Sequence, residues 1–254
     1  MSGRLIVVGI GPGNPDCLTP EAAHALEQAD ALYGYGPYLE RVPVRQGQER
    51  HASDNGEERA RAAAALRQAA AGATTALVTG GDPGVFAMAA AVCEEIEAGA
   101  QAVRAIDVAI VPGVTAMLAL AARVGAPLGH DFCALSLSDN LKPWSLVERR
   151  LDAAAGAGFV LAIYNPISRA RPWQLGSAFE RLRNILRPAT PVIFGRAITR
   201  PDERVVITTL EDADPTIADM ATLVIVGSAE TRVVKRPGRS DLVYTPRSAS
   251  EAAA

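Results

Sequence analysis

The sequence has few cysteines and histidines and no long apolar run. Its 254 residues include three cysteines and three histidines, with no Cys-x-x-Cys pair. This spacing argues against a metal or iron–sulfur site. It also predicts that the thiols stay reduced, as in the cytoplasm. No apolar run approaches the ~18 residues of a membrane-spanning helix, and the first residues lack a signal-peptide cleavage pattern. We therefore expect a cytoplasmic protein with no membrane partner.

A strong excess of charge of either sign is also lacking. The formal net charge is −3, and aromatic residues make up 5% of the chain. A nucleic-acid-binding protein would usually show a strongly basic patch, so we expect no nucleic-acid partner. About half of the residues are apolar (49%), and alanine, a strong helix former, is abundant. The length is sufficient for two modest domains with substantial cores.

Short apolar runs alternate with helical patterns in the first half of the chain. Strands are predicted at residues 5–8, 31–33, 75–79 and 107–111. Helices are predicted at residues 20–30, 57–71, 86–98 and from about residue 115. The alternation predicts an α/β domain with a mainly parallel sheet.

The second half repeats this alternation after a glycine- and proline-containing loop at residues 123–129. Strands are predicted at residues 132–137, 159–164, 191–194, 204–209 and 222–226, and helices at 145–155 and 172–186. The strands at 191–194 and 204–209 lie too close for an intervening helix, so they are predicted to pair antiparallel. We expect two α/β/α domains, residues 1–124 and 125–247, with a ligand cleft between them, and a disordered tail at 248–254.

Three glycine-rich loops follow predicted strands. The first, Gly9-Ile10-Gly11-Pro12-Gly13, departs from the dinucleotide fingerprint because Asn14 replaces its third glycine and Pro12 has no N–H. The strand ending at Gly34-Tyr35-Gly36 also lacks a carboxylate placed for a ribose. These features argue against a nicotinamide-dependent oxidoreductase, although a purely structural turn explains the first loop equally well.

The other two loops carry groups suited to a polar ligand. Gly80-Gly81-Asp82-Pro83 lets backbone lie against a flat ligand, and Asp82 can accept from ammonium or hydroxyl groups or cap the next helix. Pro112-Gly113-Val114-Thr115-Ala116 opens a helix, whose first N–H groups favour a carboxylate. Together the loops predict a site for a small ligand that combines an ammonium, a carboxylate and a ribose.

Taken in order, and with Tyr164-Asn165-Pro166 and Val224-Ile225-Val226-Gly227, these motifs resemble the tetrapyrrole (corrin/porphyrin) methylase family. The resemblance spans nearly the whole chain. It implies a homodimer, and S-adenosylmethionine folded in the cleft between two domains. By motif, the residues that would contact this cofactor are Pro12, Gly80, Gly81, Asp82, Val85, Thr115, Ala116, Asn165 and Ala197.

Residues 130–144 and 164–171 resemble one subgroup of this family. The subgroup methylates C17 of precorrin-3B, with ring contraction to precorrin-4, in cobalamin (vitamin B12) biosynthesis. The related C17 enzyme that acts on a cobalt-containing substrate, and other precorrin methylases, stay open as alternatives. A protein that only binds and carries a tetrapyrrole or S-adenosylmethionine is the non-enzymatic alternative.

Ring contraction requires proton transfers, which a polar group could assist. The candidates are Asp139, Ser138 and Tyr164, with His130 a weaker one. Each has a structural alternative: Asp139 could cap the following helix, Tyr164 could pack beside the cofactor, and His130 could be a loop residue.

The macrocycle carries acetate and propionate groups, for which basic side chains in loops are candidate partners. These candidates are Lys142, Arg169, Arg171, Arg196 and Arg200. Arginine suits carboxylates because its planar fork can bind both oxygens. The alternative is a solvated basic surface.

Overall fold

The apolar run near the N-terminus forms an interior strand of a five-stranded parallel sheet. In the computed structural model, which describes residues 3–168 and 170–248, the chain divides into two compact units between Thr115 and Ala116. The strands of the first unit are β1 (Arg4–Gly9), β2 (Ala31–Tyr35), β3 (Glu49–Ser53), β4 (Thr74–Thr79) and β5 (Asp107–Val111). Their order is β3-β2-β4-β1-β5, and every neighbouring pair is parallel. The predicted parallel α/β domain is therefore confirmed.

Helices cover both faces of this sheet. They are α1 (Pro20–Gln28), α2 (Gly36–Leu39), α3 (Glu58–Ala70), α4 (Met88–Ala98) and α5 (Gln101–Arg104). Side chains alternate along β1, so Ile6 and Val8 pack with α1 while Leu5 and Val7 pack with α3 and α4. Helix α1 begins as predicted: Thr19 Oγ1 accepts from the N–H of Ala22 at 3.1 Å, and a proline occupies the first turn.

The second unit is also an α/β structure, but its main sheet is mixed. Its helices are α6 (Ala116–Val124), α7 (Trp144–Gly156) and α8 (Gln174–Arg183). Its strands are β6 (Gly125–Ala126), β7 (Phe132–Ser136), β8 (Val160–Tyr164), β9 (Pro191–Arg196), β10 (Arg204–Thr209), β11 (Thr222–Val226), β12 (Arg232–Val234) and β13 (Leu242–Tyr244). The five-stranded sheet has the order β10-β9-β11-β8-β7, and β12, β13 and β6 form a small separate sheet.

Only β7 and β8 pair in parallel within the five-stranded sheet. The predicted hairpin of β9 and β10 is confirmed. Strand β11 enters between β8 and β9 and runs antiparallel to both, so a mainly parallel sheet is found in the first unit alone. Strands β7, β8 and β9 nevertheless point the same way, which brings their carboxyl ends to one edge of the sheet.

The second sheet is packed by helices on both faces. On one face, buried residues of α7 and α8, including Leu151, Phe179 and Leu182, pack against the sheet. The ring of Phe179 meets Phe194 edge to face at 5.9 Å. On the other face, a Cβ added at Gly195 would lie 2.5 Å from Leu120 Cδ1, so glycine is what lets α6 approach β9.

Three elements of the first unit, β3, α2 and α5, differ from the sequence-based expectation. Strand β3 was not predicted, because four of its five residues are polar and none of the five is buried. It is held at the edge of the sheet by parallel pairing with β2 and by the His51 ring stacked on Tyr33 at 4.3 Å. The short helices α2 and α5 were not predicted either. Across the part of the chain that the structure describes, no helix is long and apolar enough to cross a membrane.

Candidate functional site

The first two glycine-rich loops of the first unit are bonded to each other. They follow β1 and β4, which are neighbouring parallel strands, so they meet at the same edge of the sheet. The N–H of Gly11 donates to the carbonyl of Gly81 at 3.2 Å, and the N–H of Gly81 donates to the carbonyl of Gly11 at 2.9 Å. Both residues have positive φ, 70° for Gly11 and 66° for Gly81, which glycine adopts without strain.

The third loop, after β5, lies equally close. A Cβ on Gly113 would lie 2.2 Å from the carbonyl oxygen of Gly81, and a Cβ on Gly9 would lie 2.6 Å from the same atom. Gly81 faces more open space, because the nearest atom to a Cβ built there is Thr115 Cα at 3.9 Å. The three loops therefore form one backbone surface that leaves room beside Gly81.

Asp82 ties the second loop to the third. Its Oδ1 accepts from the N–H of Gly84 at 2.8 Å, and its Oδ2 accepts from the N–H of Gly113 at 3.1 Å. The alternative that Asp82 caps the next helix is wrong: α4 begins after Ala87, with no side-chain cap. The other predicted cofactor residues of this unit lie on the same loops, with Pro12 and Val85 half-buried and Thr115 buried.

In the second unit, the parallel ends of β7 and β8 bring together several predicted residues. Asn165, with φ of 48°, donates through Nδ2 to Ser136 Oγ at 2.9 Å. The N–H of Ser138 donates to the same hydroxyl oxygen at 3.3 Å. The Tyr164 hydroxyl accepts from the N–H of Met117 at 3.1 Å, in the first turn of α6 beside Ala116. Sequence reasoning missed Ser136, although its position at a strand end within the subgroup motif is a usable signal.

Asp139 is bonded to the segment that leads into α8. Its Oδ1 accepts from Arg171 Nη1 at 2.6 Å and from Gln174 Nε2 at 2.8 Å. Arg171 also donates to the Asn140 side chain. The alternative that Asp139 caps the following helix is wrong, because α7 starts after Pro143 without a side-chain cap. Gln174, a nearly fully buried amide, is a second residue that sequence reasoning missed.

The predicted substrate-binding cations have different surroundings. Arg196 donates from Nε to Asp219 at 2.7 Å and from Nη1 to Asp202 at 2.7 Å, and its hydrogen bond holds the pKa of Asp202 below the usual range. Lys142 forms no ion pair with any described residue; burial and Arg150 lower its pKa, against the opposite effect of Asp139. Arg169 lies outside the described residues, as do residues 249–254 of the predicted tail.

A depression of about 400 Å³ lies at the edge of the second unit where β8 ends and β11 begins. It is lined by Ile167, Ser168, Asp219, Met220 and Ala221. The buried Ser168 Oγ has no hydrogen-bond partner among the described residues. Ala197, whose φ is 49°, donates its N–H to the carbonyl of Ala221 at 2.9 Å, so this predicted cofactor residue adjoins the depression.

The described residues contain no group of three or more His, Cys, Asp or Glu side chains that could hold a metal ion. The groups found at the carboxyl ends of the strands, in each unit, are instead backbone amides, hydroxyls, carboxylates and a few cations. Such groups can bind and orient a polar organic ligand, and they can pass protons.

Comparison with known proteins assigns the family. Residues 4–214 match the model of the tetrapyrrole (corrin/porphyrin) methylases. The chain is 62% identical over 247 residues to the precorrin-3B C(17)-methyltransferase of Sinorhizobium sp, covering 97% of each chain. It is 47% identical to the cobalamin biosynthesis protein CobIJ of Mycobacterium tuberculosis, with 99% of this chain matching 49% of that protein.

A solved structure is similar over almost the full length. It is that of the methyltransferase CobJ, with a TM-score of 0.91, 47% identity, and coverage of 96% of this chain and 100% of that chain. The match of the family model over most of the chain and these relatives agree with each other and with the motifs at the strand ends. The chain belongs to the tetrapyrrole (corrin/porphyrin) methylase family.

Proposed function

We propose that the protein transfers a methyl group from S-adenosylmethionine to C17 of precorrin-3B, with ring contraction to precorrin-4, in cobalamin biosynthesis. The observation that carries this proposal is the similarity, over nearly the whole chain, to a precorrin-3B C(17)-methyltransferase. The arrangement of the glycine-rich loops supports it, because the predicted cofactor residues of the first unit lie on three loops that touch.

The residues present fit the cofactor. Asp82 offers a carboxylate to ammonium or hydroxyl groups, and the space beside Gly81 accommodates a ligand against backbone. In the second unit, the unpartnered Ser168 hydroxyl lies in a depression with apolar walls, which suits a flat base that carries polar atoms. The residues proposed to hold S-adenosylmethionine are Pro12, Gly80, Gly81, Asp82, Val85, Thr115, Ala116, Asn165 and Ala197. When bound, the cofactor supplies a sulfonium that makes its methyl group electrophilic without a metal.

The main contribution of the protein to the reaction is to position the reacting groups. Methyl transfer requires sulfur, methyl carbon and nucleophilic carbon in line, and holding reactants in that geometry supplies much of the rate gain. Asn165 is held by Ser136, and Tyr164 is held by the start of α6, so both residues at the end of β8 have fixed orientations. We propose that the hydroxyls of Tyr164 and Ser138 carry protons during ring contraction.

Asp139 serves the same reaction through its neighbours. Because its carboxylate is bonded to Arg171 and Gln174, it fixes the 138–143 loop against the start of α8. We propose that this contact presents Lys142 to a carboxylate of the macrocycle, and that Arg171 and Arg169 bind further carboxylates of the substrate. Arg196 already has two carboxylate partners, so we assign it the weaker contact with substrate.

The proposal is tested by turnover with purified protein. The protein is incubated with S-adenosylmethionine in the absence of oxygen. Three substrates are tested in separate reactions: precorrin-3B, its cobalt-containing analogue, and an earlier precorrin. We expect release of S-adenosylhomocysteine with precorrin-3B. Turnover of the cobalt-containing analogue alone would support the alternative of a C17 enzyme that acts on a cobalt-containing substrate. Binding of S-adenosylmethionine without methyl transfer to any substrate would support a carrier protein.

We also propose that the protein works as a homodimer in the cytoplasm. The family resemblance supports the dimer, and the reduced, scattered cysteines support the compartment. Light scattering on the purified protein should give twice the mass of the chain, and a monomer at micromolar concentration would contradict the dimer.

A further inference from the structure

The segment around α2 lies behind the first two glycine-rich loops. The Tyr38 ring is packed on Gly80, where an added Cβ would lie 2.8 Å from ring atoms of Tyr38. Arg41 follows in the next turn, and its guanidinium carbon lies 6.0 Å from the centre of the same ring. Helix α2 and the turn that follows it thus place an aromatic ring against the second loop and a cation against the first.

The cation of Arg41 is bonded to the backbone of the first loop. Its Nη2 donates to the carbonyl of Ile10 at 3.0 Å and to the carbonyl of Gly11 at 2.8 Å. The Gly11 carbonyl also accepts from the N–H of Gly81 at 2.9 Å. A carbonyl oxygen has two lone pairs, so that of Gly11 is fully occupied, once by the second loop and once by Arg41.

These bonds fix the peptide that joins Gly11 to Pro12. Because Pro12 has no N–H and Gly11 is conformationally permissive, this peptide has few local restraints of its own. Hydrogen bonds from a charged donor are stronger than those between neutral groups. Arg41 therefore restrains the orientation of Pro12, one of the residues that the proposed function places against the cofactor.

We infer that Arg41 is a positioning residue for the cofactor site: it acts through the carbonyls of Ile10 and Gly11 to hold the first loop in its binding conformation. The inference rests on the proposed function, because it assumes that this loop binds S-adenosylmethionine. It predicts that loss of Arg41 weakens cofactor binding more than it slows the chemical step.

The test compares Arg41→Met with Arg183→Met. Arg183 is a matched control, because it also donates to two backbone carbonyls, those of Leu210 and Ala213 at 3.1 Å, and its guanidinium carbon also lies near an aromatic ring, 5.9 Å from the centre of Phe179, but it touches neither glycine-rich loop. Binding of S-adenosylhomocysteine is measured by calorimetry well below the unfolding temperature. We expect Arg41→Met to raise its Kd by ~10-fold to ~100-fold and the KM for S-adenosylmethionine similarly, with kcat within ~3-fold of wild type. Arg183→Met should leave Kd within ~2-fold even where it lowers the unfolding temperature.

An unchanged Kd for Arg41→Met, or an equal loss of affinity for Arg183→Met, would overturn the inference. Arg41→Lys provides a second variant should the methionine variant fail to fold. A lysine keeps the charge but lacks the planar fork, so we expect a Kd several-fold above wild type, and an unchanged Kd would again overturn the inference. Failure of the wild-type protein to bind S-adenosylhomocysteine would instead count against the proposed function.

Discussion

The carboxylate of Asp82 accepts a hydrogen bond from the backbone N–H of Gly113, which lies 31 residues further along the chain and 3.1 Å away. The contact joins the loop after β4 to the loop after β5, across the loop after β1 that separates them. A second bond, from the N–H of Gly84, fixes the other carboxylate oxygen. Asp82 is thus oriented before any ligand arrives, which lowers the entropy cost of binding.

Removing the Asp82 carboxylate should weaken cofactor binding. We expect Asp82→Ala to raise the Kd for S-adenosylhomocysteine by ~10-fold to ~100-fold, because a charge-assisted contact and the tie to Gly113 are both lost. Asp82→Asn, which keeps one oxygen acceptor, should cost less.

Asp30→Ala is the matched control for this prediction. The Asp30 carboxylate also accepts a backbone N–H, that of Thr74 at 2.9 Å, but at the amino ends of the strands. The Asp30→Ala substitution should lower the unfolding temperature without changing the Kd for S-adenosylhomocysteine. Equal affinity of Asp82→Ala and wild type in calorimetry would contradict the assignment of Asp82.

A methyl group at Gly113 should disrupt the joined loops. In Gly113→Ala the added carbon would lie 2.2 Å from the Gly81 carbonyl oxygen, and backbone cannot move aside as a flexible side chain can. We expect a loss of about 1–3 kcal/mol in the free energy of unfolding, together with loss of cofactor binding. Gly36→Ala is the control, because a Cβ there meets no atom within 4 Å. Chemical denaturation of both variants checks this, and a Gly113→Ala protein as stable as wild type would refute it.

Lys142 should lower the stability of the folded protein and strengthen the binding of substrate. Burial and Arg150 lower the pKa of Lys142, so its charged form is less favourable in the folded protein than in the unfolded chain. This penalty is complete below the folded-state pKa and disappears as the pH rises past the ordinary lysine value of 10.5. Lys142→Met should therefore raise the unfolding temperature at pH 7, with a gain that declines toward pH 10.5, while raising the KM for the tetrapyrrole ~10-fold.

The other lysine of the chain, Lys235, serves as the control. It is 81% exposed and paired with Asp241 at 2.6 Å. Lys235→Met should change neither the KM nor the pH dependence of unfolding. A Lys142→Met protein that is less stable at pH 7, with an unchanged KM, would show that Lys142 is a surface residue with no role in binding substrate.

Asp139 and Arg171 should behave as one unit. A double-mutant cycle with Asp139→Asn and Arg171→Gln should give a coupling of about 1–2 kcal/mol in the free energy of unfolding, since both side chains are largely shielded from water. Each single variant should raise the KM for the tetrapyrrole and leave the Kd for S-adenosylhomocysteine unchanged. Independent effects of the two substitutions would argue against this loop contact.

The strands of this fold that could be predicted are those buried on both faces. In β1 and β11 every residue or all but one is buried, and both appear as continuous apolar runs in the sequence. Strand β3 gives no such signal, because backbone pairing with β2 holds its polar residues. The insertion of β11 between β8 and β9 is a non-local pairing that periodicity does not contain.

The same division applies to the candidate site. Glycine spacing predicted which loops carry it, because glycine is needed wherever backbones touch. The sequence did not reveal that Asp139 reaches Arg171 and Gln174 instead of capping α7, because a carboxylate in a loop can satisfy either partner. Arg41 was not predicted at all, since its partners are carbonyls distant in sequence.

The position of the transferred methyl group tests the central claim most directly. Purified protein is incubated without oxygen with precorrin-3B and S-adenosylmethionine labelled with carbon-13 in the methyl group, and the product is examined by NMR and mass spectrometry. We predict label on C17, a product heavier by one methylene with a changed chromophore, and an equivalent of S-adenosylhomocysteine. Label on another ring carbon, or no transfer by a protein that binds S-adenosylmethionine, would contradict the proposed function.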